Sequence, residues 1–254
     1  MSTTGCAGCR NADASAFPIP FTMAFQPIID TADSRIWGYE ALVRGVAGES
    51  AMAVLGQVTA DNRYAFDQAC RVKAIELAGA GIADTDAKLS INFMPNAVYE
   101  PKACIRATLA AAERMQFDTR RLMFEFTENE RMDDAAHVEH IVAEYRRMGF
   151  TTALDDFGAG YAGLSLLARF QTDLIKIDMD LVRDVDQSRV KQAIVRAIVG
   201  IGAELGILVL AEGIETAAEL AILKAMGIRL FQGYHFARPQ LEKFQTMADL
   251  AIAA

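Results

Sequence analysis

Between residues 21 and 233, short apolar and β-branched runs alternate with longer segments whose apolar residues recur at helical spacing. The runs "TMAFQPII" (22–29), "IWGYEALV" (36–43), "KLSINF" (88–93), "RLMFEFT" (121–127), "TTALDD" (151–156), "LIKID" (174–178), "ILVLAE" (207–212) and "RLFQG" (229–233) predict eight strands. Helical patterns at 61–79, 102–115, 134–148, 188–205 and 216–226 lie between most of them. Such alternation predicts a parallel sheet with helical crossovers. The first two strands are the exception: "DTADSR" between them is too short for a crossover helix, so they form a hairpin and run antiparallel.

Eight strands in this rhythm can close into a barrel or lie open as a doubly wound sheet. The polar residues decide for the barrel. Glu40, Asn92, Glu125, Asp155 with Asp156, Lys176 with Asp178, Glu212 and Gln232 all fall near C-terminal strand ends. In a barrel those ends converge on one mouth, where active sites are built; an open sheet would spread them along an edge. Charged groups inside apolar runs are costly unless paired or bound to a metal, so they predict a functional cluster. The fold class expected is α/β, a TIM-like (β/α)8 barrel with one antiparallel strand, and 254 residues suit a fold that needs about 250. Residues 1–20 read as an N-terminal extension and residues 21–254 as the domain.

Asp155 and Asp156 pose a particular problem. Neighbouring side chains of a regular strand point to opposite faces, so the pair can share a site only where the strand breaks, and Gly158 and Gly160 mark such a break. Two like charges so close raise one pKa or require a cation between them. The other reading is that one aspartate caps the following helix. Glu40, Asn92, Glu125, Asp155, Asp156 and Glu212 are hard oxygen donors with no cysteine or histidine among them, a set that suits magnesium or manganese. Five carboxylates exceed the needs of one octahedral ion, which points to two ions bridged by an aspartate. Two such ions polarise a phosphate and lower the pKa of a shared water, the arrangement for in-line attack on a phosphodiester. Lys176 then holds that water or the developing charge, or else pairs with Asp178 in a packed layer. Arg44 either meets a ligand phosphate with its planar fork or is merely solvated.

Composition narrows the field. A net charge of −8 and a pI near 5.0 argue against binding a DNA or RNA polymer. The most apolar stretch, 193–211, contains Arg196, Glu204 and internal glycines and reads as a helix followed by a buried strand, so no membrane segment is expected. The N-terminus lacks an apolar run after a basic start, from which a cytoplasmic location is expected. Cys6 and Cys9 form a CxxC, half a zinc site or a redox pair if it is not a tail with two thiols, and with Cys70 and Cys104 isolated there is no disulfide framework. His137, His140 and His235 look peripheral, and GxSxG, HExxH, Walker and Rossmann patterns are missing, which weakens any serine hydrolase, zinc peptidase or dehydrogenase reading.

Taken in order, "YEALVRG" (39–45), "INFMP" (91–95), "FEFTENE" (124–130), "LDDFGAGYAGLSLL" (154–167), "LIKID" (174–178), "LAEGIET" (210–216) and "FQGYHFARP" (231–239) resemble the EAL-domain family of cyclic di-GMP phosphodiesterases, over essentially residues 21–245. The resemblance implies a TIM-like barrel that hydrolyses cyclic di-GMP to linear pGpG with magnesium or manganese. By motif match the metal ligands are Glu40, Asn92, Glu125, Asp155, Asp156 and Glu212, with Lys176 beside the attacking water and Gln232 supporting it. Gln26, Leu42 and Arg44 lie along the dinucleotide, with Asn92 and Gln232 also on the substrate side. Glu128 anchors the loop after the aspartate pair, and Asp178 and Glu215 support the metal-side network. A homodimer is implied as well. Met94 and Ala159 depart from the serine and threonine of many relatives, which predicts altered rate or regulation rather than loss of activity. The alternative is a catalytically inactive cyclic di-GMP receptor, which would have lost a metal ligand; none is missing. With no evident sensory, receiver or cyclase domain in the sequence, regulation is expected from the short N-terminal extension, a separate sensory or regulatory partner, dimerisation or expression level.

Overall fold

The structure is a computed structural model that describes residues 17, 19–98, 100–127, 135–160 and 163–250. Cys6, Cys9 and Glu128 therefore lie outside the described residues. The strands are β1 (Phe21–Asp30), β2 (Arg35–Gly45), β3 (Lys88–Asn92), β4 (Leu122–Thr127), β5 (Thr151–Phe157), β6 (Leu174–Ile177), β7 (Leu208–Ala211), β8 (Leu230–Phe231) and β9 (Gln240–Leu241). The helices are α1 (Ala51–Leu55), α2 (Arg63–Gly81), α3 (Pro101–Cys104), α4 (Arg106–Arg114), α5 (Ala135–Arg147), α6 (Gly163–Arg169), α7 (Met179–Val182), α8 (Arg189–Leu205) and α9 (Ala217–Ala225).

Strands β2 to β8 pair in parallel in chain order, and β1 closes the ring by pairing antiparallel with both β2 and β8. The result is the expected TIM-like barrel with one antiparallel strand. All eight strands read from the sequence are present. The additional strand, β9, pairs antiparallel with Ala24 and Phe25 of β1. The segment 102–115 divides at Ile105 into α3 and α4. The seven-residue α6 and the one-turn α7 were too short to show a helical period.

Alternation along the strands explains both the core and the mouth. Leu122, Phe124 and Phe126 of β4, with Ile175 and Ile177 of β6, join the large cluster between barrel and helices. The opposite faces supply a small cluster within the ring: Ile28, Trp37, Met123, Ala153, Leu174, Leu210 and Leu230. Stepping two residues toward the mouth from the members on β4 to β8 changes apolar to polar: Met123 to Glu125, Ala153 to Asp155, Leu174 to Lys176, Leu210 to Glu212, Leu230 to Gln232; Trp37 of β2, beside a register shift in its pairing with β1, does not follow the step. In β1 the same step runs backward, from Ile28 to Gln26, because that strand is antiparallel. One period-two pattern thus builds an apolar floor and, one layer above it, a polar site.

Candidate functional site

Lys176 stands at the centre of the mouth, fully buried. Its Nζ lies 2.6 Å from Glu212 Oε1, 2.8 Å from Glu125 Oε2, 3.1 Å from Asp155 Oδ1 and 3.7 Å from Glu40 Oε2. The sequence reading that pairs this lysine with Asp178 is not what the structure shows: its ion pairs are with these four carboxylates, and Asp178 caps α7 by accepting from the Asp180 N–H at 2.8 Å. Glu40 is held from two sides, by Asn92 Nδ2 at 3.1 Å and Gln232 Nε2 at 2.7 Å. Gln232 Nε2 also donates to Gln26 Oε1 at 3.1 Å, and Gln26 Nε2 donates to the Ala237 carbonyl at 3.1 Å. The Ser90 hydroxyl, inward-facing two residues before Asn92, donates to Glu125.

The aspartate pair meets by a device that differs from the expected break after the strand. β5 continues to Phe157, and the departure occurs within it. Ala153 and Leu154 pair with Leu174 and Ile175, and Phe157 with Ile177, so Asp155 and Asp156 together oppose Lys176. This is a bulge, two residues against one. Asp156 takes φ 54°, a left-handed conformation that aspartate tolerates better than most residues. Gly158 follows at φ 100° and turns the chain away. The bulge brings carboxylate oxygens of Asp155, Asp156 and Glu212 within 4.8 Å of one another. A second such group comprises Glu40, Glu125 and Asp155. Asp155 belongs to both.

Electrostatics reflect this crowding. Burial pushes the Glu125 carboxyl up to about 8 against the pull of Lys176, with Glu40 and Asp155 adding to the rise. Burial and the charges of Asp155 and Asp178 raise Asp156 to about 6. Burial also holds Glu212 well above the carboxylate range despite Lys176. For Lys176, desolvation opposes the charge, but Asp155, Glu125, Glu212 and Glu40 outweigh it and keep the ammonium protonated. One cation faces more negative charge than it can balance. The residues present therefore fit a divalent cation: two oxygen-only groups converge, and the buried Gln232 Oε1 is an acceptor with no protein partner.

A cavity of about 220 Å³ opens above the cluster, bordered by Gln26, Glu40, Leu42, Asp156, Glu212 and Gln232. A second, more apolar cavity of about 360 Å³ shares Glu40 and Leu42 with the first and reaches Asn92 and Phe93. Arg44 lines neither of these two; its Nη1 donates to the Val43 carbonyl at 2.7 Å. Glu215 borders the first cavity but is exposed and pairs with Arg183 at 3.3 Å, away from the carboxylate groups. Two features at the rim of these cavities were not read from the sequence. Tyr234, half exposed at the rim, carries the Arg238 guanidinium 4.1 Å from its ring centroid. Asp67 of α2 accepts from the Met94 N–H at 3.0 Å and so fixes the turn after β3.

Comparison with known proteins adds a family. The EAL domain pattern matches residues 20–239. The blue light- and temperature-regulated antirepressor BluF of Escherichia coli is 32% identical over 225 residues, 89% of this chain and 56% of that protein. The cyclic di-GMP phosphodiesterase PA2567 of Pseudomonas aeruginosa is 31% identical over 227 residues, 87% of this chain and 38% of that protein. The chain thus spans about half or less of the length of these relatives. The crystal structure of a standalone versatile EAL protein from Vibrio cholerae, in its c-di-GMP-bound form, superposes with a TM-score of 0.87 at 52% identity, covering 91% of this chain and 97% of that one. A match across most of the chain, joined to a barrel of the same architecture, makes this protein a member of the EAL domain family.

Proposed function

We propose that the chain is a metal-dependent phosphodiesterase that hydrolyses cyclic di-GMP to linear pGpG. The observation that carries the reading is the pair of carboxylate groups sharing Asp155 around a single lysine. Glu40, Glu125 and Asp155, with Asn92 beside Glu40, would hold one magnesium or manganese ion; Asp155, Asp156 and Glu212 would hold the other. When bound, such ions polarise a phosphate and lower the pKa of a water between them. The remaining work falls to the protein. Lys176, kept protonated, serves as a donor to the attacking oxygen or the developing charge and not as a base. Gln232 and Gln26 fix the orientation of Glu40. Gln26, Leu42, Arg44 and Asn92 lie on the side of the mouth assigned to the dinucleotide, and Glu128, Asp178 and Glu215 are supporting residues in this reading.

The wider reading includes a homodimer, a cytoplasmic location and a separate sensory or regulatory partner. Among the described residues no helix is long and apolar enough to cross a membrane. A second reading is a receptor that binds cyclic di-GMP without cutting it; the relative BluF is named an antirepressor and not a phosphodiesterase. Hydrolysis by the purified chain with Mg²⁺ or Mn²⁺, with pGpG resolved from GMP by chromatography, separates the two. Accumulation of pGpG supports the enzyme; tight binding without turnover supports the receptor.

A further inference from the structure

Glu219 lies on the first turn of α9, outside the carboxylate cluster, yet it is only 3% exposed. Its two oxygens serve different loops. Oε2 accepts from the N–H groups of Glu215 at 3.0 Å and Thr216 at 2.9 Å, and the Thr216 hydroxyl accepts from the Glu219 N–H at 3.2 Å, which completes a capping box. A capping box needs only that one oxygen. Oε1 crosses to the neighbouring loop and accepts from the Asp184 N–H at 2.9 Å. The two loops so joined are those that follow β6 and β7, the strands that deliver Lys176 and Glu212.

Three further contacts make the junction tight. Arg183 meets Glu215 at 3.3 Å. Met179 covers Gly213 so closely that a Cβ there would stand 2.5 Å from the Met179 Cβ, and Gly213 takes φ 67°. The Ile214 N–H donates to the Gln232 carbonyl at 3.1 Å, which ties the same loop to β8. Burial pushes the Glu219 carboxyl up, but the N–H groups of Glu215, Asp184 and Thr216 outweigh it and hold it below the ordinary range.

We propose that Glu219 is a positioning residue: by clasping the loops after β6 and β7 it holds Glu212 against Lys176 and beside Asp155 and Asp156. The inference rests on the reading of the mouth as a divalent-cation site. Residues that orient metal ligands without touching the ion typically carry a factor of about 10 or more in affinity.

The test uses the full chain with Glu219→Gln, Glu219→Ala and, as a remote cap control on α8, Ser188→Ala, whose hydroxyl accepts from the Lys191 N–H at 3.3 Å. Amide hydrogen exchange is read on the metal-free protein, and the Kd for Mn²⁺ alone by calorimetry. Glu219→Ala is expected to speed exchange over 178–186 as well as 212–216 and to raise the Mn²⁺ Kd about tenfold. Glu219→Gln keeps the capping oxygen, so its thermal midpoint stays near wild type while exchange over 178–186 still rises. Ser188→Ala lowers the midpoint without moving the Mn²⁺ Kd. Exchange confined to 215–219, or an unchanged Kd against a wild type that binds Mn²⁺, overturns the clasp. A wild type that binds no Mn²⁺ overturns the metal reading instead, and the exchange pattern alone then decides whether Glu219 joins the loops.

Discussion

Among the described residues two cations are fully buried, Arg71 and Lys176, and they are accommodated in opposite ways. Arg71 of α2 pairs with Asp67 one turn earlier, directs Nη1 toward the Tyr145 hydroxyl at 3.5 Å, and lies between helices and barrel. The second oxygen of Asp67 takes the Met94 N–H. One positive charge meets one negative charge, and the polar atoms of the pair have partners. Lys176 meets four carboxylates within 4 Å, with Asp156 nearby. A balanced pair can be buried with no outside help, although it adds little net stability. An unbalanced cluster is tolerable only if protons or cations make up the difference, so it marks the part of the molecule built to bind something.

Asp155→Asn breaks the comparison most sharply, because it removes the carboxylate shared by both groups while reducing their repulsion. Hydrolysis of cyclic di-GMP is expected to fall on the order of 10⁴-fold, about 5 kcal/mol of barrier. The thermal midpoint of the metal-free protein is expected to hold or rise. A variant that lost activity only because it unfolded would erase the distinction between the two clusters. Arg71→Ala is the mirror case: it leaves Asp67 buried and unpaired and is expected to cost about 3–5 kcal/mol in urea unfolding. The fraction that remains folded should keep most of its turnover, since Arg71 itself borders neither cavity and Asp67, which lines the second, can still accept from the Met94 N–H.

Metal addition and removal sharpen the same contrast at a smaller scale. Mn²⁺ at about 100 times its Kd should stabilise the wild type by about 2.7 kcal/mol, and a chelator should reverse the gain. Asp155→Asn should show little of this shift, whereas Arg71→Ala should show nearly all of it on its lowered baseline. Equal stabilisation of wild type and Asp155→Asn would mean that the ion binds elsewhere.

The difference between the clusters also explains what the sequence made legible. The floor-to-mouth step of two residues is written in β1 and in β4 to β8, so the strands, the barrel and most of the inward polar layer could be read from periodicity. The bulge at Asp156 could not, because it depends on how β5 pairs with β6, which local pattern does not encode. The same holds for Asp67 on the Met94 N–H and for Glu219 on the Asp184 N–H, where a side chain meets a backbone group 27 or 35 residues away. Ser90 was within reach: it is the one hydroxyl in "KLSIN" and shares the inward face with Asn92. β9 is only two residues long, and its pairing with β1 is a tertiary event.

A neutral group back to back with Glu40 gives the smallest predicted effect and the finest control. Tyr39 and Glu40 are neighbours on β2, so one faces outward while the other faces the mouth. The Tyr39 hydroxyl donates to the Gln245 carbonyl at 2.8 Å, and burial, with the charge of Asp249, pushes it up to about 12. An unfolded tyrosine ionises near 10. The folded value is therefore the higher one, and the stability this group confers is whole below pH 10 and drains away as the pH climbs through 12. Tyr39→Phe should cost about 1 kcal/mol at neutral pH for the lost hydrogen bond, with turnover unchanged. Between pH 10 and 12 the wild type should lose ground to the variant, which has nothing to ionise at that position. Tyr145, also raised to about 12 by burial, titrates in both proteins and cancels from the difference. Unfolding curves that stay parallel across this window would show that the outer face of β2 bears no titrating load.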